Sequence, residues 1–315
     1  MRRVADTKIE ACDPGLGELV DLNAPLWLID DSSQHCEGPV YLPDSDSVVW
    51  SDVSGDRVLE YRQGTVSVIR SPSHYQNGNA LDLEGRIVAC SHGDRAIVRH
   101  EKDGEWHILI DRYGSSSSSG KQGQRLNSPN DIIVKSDGTL WFTDPPFGLT
   151  EPGQGSGGEQ ELAGSFVFRF VPETGELAAV IKEMDRPNGL AFNRDESLLY
   201  VSDTAAVINP HLHHDIRVYD VAEDGSVKNG RLFISISPGQ PDGFCLDWQD
   251  NLFVSSEDSI QIFNAQGKKL GKIMLPEICA NLTFGGPHWN QLFIAAGGSL
   301  LMMELKTHRL PSIPK

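Results

Sequence analysis

Asn127-Ser128-Pro129-Asn130-Asp131-Ile132-Ile133-Val134-Lys135-Ser136-Asp137-Gly138-Thr139-Leu140-Trp141-Phe142-Thr143-Asp144 is the stretch whose reading decides the fold. It reads as two strands and a turn. Asp131 to Val134 is an apolar-rich run, Ser136-Asp137-Gly138 is a turn signal with a glycine free to take positive φ, and Thr139 to Phe142 is β-branched and aromatic. Polar residues stand at both ends of this hairpin, Asn130-Asp131 going in and Thr143-Asp144 coming out.

Five further copies surround it. They open at Glu37, Asn79, Asn188, Asp242 and Asn281, so successive starts at 37, 79, 130, 188, 242 and 281 lie 42, 51, 58, 54 and 39 residues apart. The first copy shows the full unit: Val40-Tyr41-Leu42, Val48-Val49-Trp50-Ser51-Asp52, Arg57 to Tyr61 and Val66 to Ile69 read as four short strands. Four-stranded units repeating every ~40–50 residues are the signature of propeller blades. The expected fold is therefore all-β, a single six-bladed β-propeller over residues 1–315, with residues 1–25 as an N-terminal extension or closing segment; the residues lining its central tunnel, taken up below, add the expectation of a divalent metal there. A two-sheet sandwich would also use short strands, but regular repetition argues against it. No long apolar pattern of helical period is present, which disfavours α/β folds. Either Trp27 to Ile29 or Leu300 to Leu305 is positioned to close the ring. The longer spacings contain Gly, Ser and polar insertions at 114–123, 151–164 and 205–214, where function tends to concentrate.

Of the 315 residues 39% are apolar and 23% charged, as in a soluble globular protein, and the formal net charge is −17. Such a charge repels nucleic acid and anionic membrane surfaces, so neither is an expected partner. No window approaches the roughly 20 apolar residues of a membrane span, and the expected location is the cytoplasm. The five cysteines, Cys12, Cys36, Cys90, Cys245 and Cys279, are odd in number and widely spaced, which suits reduced thiols rather than a disulfide framework.

In a propeller the first strand of each blade lines the tunnel, so the six opening residues converge on one axis. Glu37, Asn79, Asn130, Asn188, Asp242 and Asn281 are two carboxylates and four carboxamides. That set offers hard oxygen donors without thiolate or imidazole, which is calcium chemistry, with magnesium, manganese or zinc as alternatives. The competing reading is that Asn, Asp and Glu open strands simply because they suit turns; six in register weaken it.

With these motifs in hand the sequence resembles the family of regucalcin (senescence marker protein), gluconolactonases and luciferin-regenerating enzyme, and is most similar to its bacterial gluconolactonase branch. Glu37-Gly38-Pro39-Val40, Asn127-Ser128-Pro129-Asn130-Asp131, Phe142-Thr143-Asp144-Pro145-Pro146-Phe147-Gly148, Arg186-Pro187-Asn188-Gly189-Leu190 and Pro241-Asp242-Gly243 carry the likeness, in order, between about Glu37 and Ala296. The resemblance implies a divalent ion held by Glu37, Asn130, Asn188 and Asp242, and hydrolysis of a sugar lactone such as glucono-1,5-lactone. A cation on the ring carbonyl would stabilise the developing oxyanion, and a carboxylate would activate water; Asp242 and Asp131 are the candidates. Arg125, Asn79, Asp144, Asp203 and His92 are the expected substrate contacts. Phosphotriester or aryl-ester hydrolysis on the same metal, and a non-catalytic calcium-binding propeller, are the alternatives. A homodimer is compatible with this reading.

Three other signals are set aside. His211-Leu212-His213-His214 lies in an insertion without thiolate or carboxylate at zinc-site spacing, and reads as surface loop. Gly153 to Gly158 satisfies G-x-G-x-x-G formally but opens no βαβ unit, and reads as a mobile loop. Ser115 to Ser119 reads as a flexible linker.

Overall fold

The computed structural model of the chain describes residues 1–4, 7–114 and 123–310. Among them the expected repeats become six antiparallel sheets. Blade 1 comprises Cys36–Leu42, Ser47–Asp52, Arg57–Arg62 and Thr65–Arg70. Blade 2 runs from Gln76–Leu81 to Trp106–Ile110, blade 3 from Ile132–Val134 to Glu176–Ile181, and blade 4 from Pro187–Phe192 to Val227–Ser235. Blade 5 runs from Phe244–Leu246 to Lys269–Met274, and blade 6 begins at Cys279–Gly285. Each inner strand touches the inner strand of the next blade, and the sixth touches the first, so the ring is closed.

Burial explains the order of residue types along each blade. The second strand, packed between neighbouring blades, is wholly buried in Ser47–Asp52, whereas the outermost Thr65–Arg70 is mostly exposed. The apolar core is therefore a set of wedges between sheets. Trp141 of blade 3 meets Phe192 of blade 4 edge to face with centroids 5.2 Å apart, and Phe253 of blade 5 meets Phe284 of blade 6 at 5.4 Å.

The N-terminal residues are structural. Trp27–Asp30 pairs with Ser299–Glu304 as the outer strand of blade 6, so it supplies the closure, while the other candidate is the third strand of that blade. Arg2–Arg3 extends the same sheet and Ile9–Ala11 adds a fifth strand to blade 5. Between them the short helix Leu16–Leu19 buries both its leucines in the core of blades 5 and 6. Outer closure by a segment distant in sequence ties the chain ends together, and opening the ring would cost all of these pairings at once.

The insertion spanning 114–123 is bracketed by a two-stranded ribbon, Arg112–Tyr113 with Gln124–Arg125; Ser115 to Ser119 lie outside the described residues. The glycine-rich insertion is packed rather than loose: Gly157 donates its amide to Gly148 O (3.1 Å) and Leu162 is buried. Four of the cysteines are buried and Cys12 is exposed, all as free thiols. Among the described residues no helix is long and apolar enough to cross a membrane.

Candidate active site

The tunnel wall is organised by a bulge. In blades 1, 2, 4 and 6 the pairing between the first and second strands shifts register, between Glu37 and Val40, Gln76 and Asn79, Pro187 and Leu190, and Cys279 and Asn281. A bulge adds one residue on one strand and turns consecutive side chains toward the same space. Two layers result. The upper contains Glu37, Asn77, Asn130, Asn188, Asp242 and Ala280; the next residue of each blade gives Gly38, Gly78, Asp131, Gly189, Gly243 and Asn281.

This register corrects the expected alignment of two opening residues, Asn79 and Asn281. In blade 2 the position equivalent to Glu37 is Asn77, and in blade 6 it is Ala280, because the bulge displaces any count made along an ideal strand. Asn79 instead braces the blades: its Nδ2 donates to Gly38 O (2.8 Å), Ser51 Oγ (2.9 Å) and Asn77 O (2.9 Å), and its Oδ1 accepts from Gln76 Nε2 (2.6 Å). Both ends of the Asn79 amide are thus engaged in bracing blades 1 and 2. The recurring dipeptides Glu37-Gly38, Asn77-Gly78, Asn188-Gly189 and Asp242-Gly243 were the sequence signal that finds Asn77.

Glycine fills the second layer because the blades approach too closely for a Cβ. One at Gly189 would stand 2.5 Å from Asp242 O, and one at Gly78 would stand 2.6 Å from both Asn130 O and Asp131 Oδ1. The close approach carries hydrogen bonds, Gly78 N to Asn130 O (2.8 Å) and Gly243 N to Ala280 O (2.7 Å). Second-strand hydroxyls finish the mounting. Ser51 Oγ donates to Asn77 O, Thr143 Oγ1 to Asn188 O and Ser202 Oγ to Asp242 O, each at 2.7 Å. Blades 1 to 5 thus each hold the upper-layer backbone of the next.

The two side chains that interrupt the glycines, Asp131 and Asn281, come from opposite blades and meet across the axis, Asn281 Nδ2 donating to Asp131 Oδ2 (3.3 Å). Asp131 Oδ1 accepts from Ile132 N (2.9 Å). Below this pair a cavity of about 1060 Å³ opens to the far face, lined by Gly38, Asp131, Asn281 and apolar residues such as Ile133, Phe192 and Phe284, but by none of the polar upper-layer residues. This cavity and the polar ring are therefore on opposite sides of the Asp131–Asn281 floor.

Electrostatically the ring is unbalanced. Glu37 is 3% exposed, and burial, followed by repulsion from Asp242 and Asp131, pushes its carboxyl well up. Burial and the Asp131 charge raise Asp242 to about 7, and burial raises Asp131 to about 6. Asp242 is partly exposed as a residue, yet its Oδ1 is buried and has no hydrogen-bond partner. Among the described residues no lysine or arginine stabilises any of these three carboxyls. Buried carboxylates without a counter-charge are costly, and the set fits a hard divalent cation, which takes carboxylate and amide oxygens. Among the described residues no three His, Cys, Asp or Glu side chains form a ready ligand cluster by themselves; the expected set has two carboxylates and relies on asparagine oxygens for the rest.

The other expected residues separate. Asp203 Oδ2 accepts from Asp185 N (3.0 Å), and its Oδ1 accepts from Arg186 N (3.0 Å) and Ala205 N (3.1 Å). Asp52 does the same for Gln34 N and His35 N. Aspartates closing second strands thus clamp the segment entering the inner strand, and Asp203 is not carried forward as a substrate contact. Asp144 shares the role through Asn127 N (2.8 Å), but its Oδ1 has no partner, and burial raises it to about 8 despite that bond and the nearby Arg95. Arg95, which sequence reasoning passed over, donates Nε to Leu126 O (2.7 Å) and Asn127 O (3.1 Å) and leaves Nη2 buried and unpartnered. Arg125 is anchored through Nη2 to Asp94 O and has an unpartnered Nε. His92 is buried behind Asn77, its Nδ1 donating to Gln154 O (2.7 Å). His213 pairs with Asp215 (3.2 Å); His211 and His213 are exposed and His214 is half-buried, in keeping with a surface loop.

These features define a class: a six-bladed propeller with a polar, cation-seeking ring at one end of its tunnel. Residues 35–298 match the SMP-30/Gluconolactonase/LRE-like region, and the chain belongs to that family. A solved gluconolactonase from Xanthomonas campestris is 39% identical, covers 97% of each chain and superposes with a TM-score of 0.88. The gluconolactonase of Zymomonas mobilis is 29% identical over 95% of this chain and 86% of its own length. A calcium-binding regucalcin from Agrobacterium tumefaciens shares the fold, with a TM-score of 0.71 at 15% identity over 90% of this chain and 96% of that one.

Proposed function

We propose that the protein is a divalent-metal-dependent lactone hydrolase that opens a sugar lactone of the glucono-1,5-lactone class, with calcium as the ion. The observation that carries this reading is the ring itself: buried Glu37, Asn130 and Asn188 with a half-buried Asp242, no ion-pair partner for either carboxyl among the described residues, and an orphaned Asp242 Oδ1. Its relatives named gluconolactonase support the substrate class.

Glu37, Asn130, Asn188 and Asp242 would hold the ion, which when bound supplies a Lewis acid for the lactone carbonyl. The chain's own residues do the rest. Asp242 is the better base, since Asp131 already accepts a hydrogen bond at each oxygen and lies in the floor. Asp242 takes a proton from water as the water oxygen bonds to the carbonyl carbon. The ring C–O bond then breaks, the departing oxygen is protonated to a hydroxyl, and the new carboxylic acid ionises, releasing one proton per turnover at neutral pH. Arg95 and Arg125, with unpartnered nitrogens on the rim between blades 2 and 3, and the free Asp144 oxygen are the groups suited to sugar hydroxyls.

An indicator assay of glucono-1,5-lactone opening tests the reading. Proton release that disappears with chelator and returns with calcium is the expected result; release indifferent to chelator, or none across a panel of aldonolactones, overturns it.

A further inference from the structure

One upper-layer side chain stands outside the expected ligand set. Asn77 is 2% exposed and its Oδ1 has no partner, although it lies in the ring between Glu37 and Asn130. Its backbone is fastened on both sides: Ser51 Oγ donates to its carbonyl (2.7 Å), and the following Gly78 donates its amide to Asn130 O (2.8 Å). On the side away from the tunnel its Nδ2 stands 3.4 Å from His92 Nε2.

The orientation of this amide follows from its neighbours. His92 Nδ1 is 2.7 Å from the carbonyl oxygen of Gln154. A carbonyl only accepts, so Nδ1 carries the hydrogen. His92 is 1% exposed, with the uncharged Gln154 carbonyl and Asn77 amide as its partners, surroundings that favour the neutral imidazole. A neutral imidazole protonated at Nδ1 presents a lone pair at Nε2, and only an N–H can face it. The nitrogen of Asn77 must therefore point at His92. Rotating the amide by half a turn would set two acceptors against each other. The oxygen is directed to the other side, beside the ring. Gln154 belongs to the packed glycine-rich segment, which gives that insertion a purpose at the site.

We infer that Asn77 contributes a fifth oxygen to the divalent ion of the tunnel, with His92 as a positioning residue that keeps the amide nitrogen turned away. This rests on the reading that an ion binds at the ring. A buried amide oxygen without a hydrogen bond is unfavourable, and coordination to a hard cation, which takes 6–8 oxygens in the case of calcium, would satisfy it.

Europium(III) serves as an oxygen-seeking probe whose luminescence lifetimes in H₂O and D₂O count the waters on the ion; calcium affinity is followed by titration calorimetry. Asn77→Ala is expected to add about one water to bound europium and to weaken calcium binding by about 10-fold or more. Asn77→Asp, which keeps an oxygen in place, should leave the water count unchanged and bind calcium at least as tightly. His92→Phe should weaken calcium binding in the parent but add no further loss in the Asn77→Ala background, since both act through one amide. Unfolding midpoints in chelator check that each variant is folded. If the parent binds and Asn77→Ala leaves water count and affinity unaltered, the fifth-oxygen inference falls while the metal reading stands. Equal losses from His92→Phe in both backgrounds would overturn its positioning role. A parent that binds neither ion removes the metal reading, and this inference with it.

Discussion

The two layers of the tunnel wall are one residue apart in sequence and opposite in character. The upper layer is polar in five of six blades, mounted by backbone bonds from the preceding blade, and contains oxygens that nothing in the protein satisfies. The lower layer is glycine in four blades, and its two side chains, Asp131 and Asn281, satisfy one another. The difference shows how a propeller separates packing from chemistry: the lower layer lets the blades meet, and that contact fixes the backbone on which the upper layer is displayed. A carboxylate one position along the chain therefore belongs to the floor rather than to the ring.

The sharpest break of this comparison is Asp242→Asn. It should lower kcat/KM on glucono-1,5-lactone by about 10²–10⁴-fold and weaken calcium binding, while the protein in chelator unfolds no earlier than the parent, because one of three repelling carboxyls has gone. Unaltered turnover would return the role of base to Asp131. In the lower layer, Gly189→Ala forces a methyl to 2.5 Å from Asp242 O and should destabilise by about 1–3 kcal/mol, with calcium affinity falling because the Asp242 backbone must move. Denaturant unfolding and calorimetry read both; wild-type values in each would mean the blades are free to part.

Asp203→Asn probes the clamp against the ring. It should cost about 1 kcal/mol of stability with KM unchanged, since both Asp203 oxygens serve backbone amides; a raised KM with intact stability would put Asp203 back on the substrate wall. The last test is one of pH dependence and concerns Asp144. Its carboxyl is raised from 3.8 to about 8 in the folded protein, so between those values the folded state binds more protons than the unfolded one and stability falls as pH rises. Asp144→Asn removes this term, and its unfolding midpoint relative to the parent should be more favourable at pH 8.5 than at pH 5. An offset independent of pH would mean that Asp144 ionises normally.

Much of this could be read along the chain. The alternation of Val48-Val49-Trp50 and its counterparts, cut by turn residues at regular intervals, dictates short strands in repeating units, because strand period and turn chemistry are local properties. The polar openings Glu37, Asn130, Asn188 and Asp242 were legible for the same reason: each precedes a glycine, proline or apolar run that marks the start of an inner strand. What only the tertiary structure decided depends on contacts between blades. The bulge that places Asn77 rather than Asn79 in the ring is set by pairing with a second strand, the choice of Trp27–Asp30 as the closing strand by edges far apart in sequence, and the difference between Asp203 and Asp242 by which backbone amides reach them. An aspartate looks the same in either place; whether its oxygens are already occupied is a property of the assembled ring.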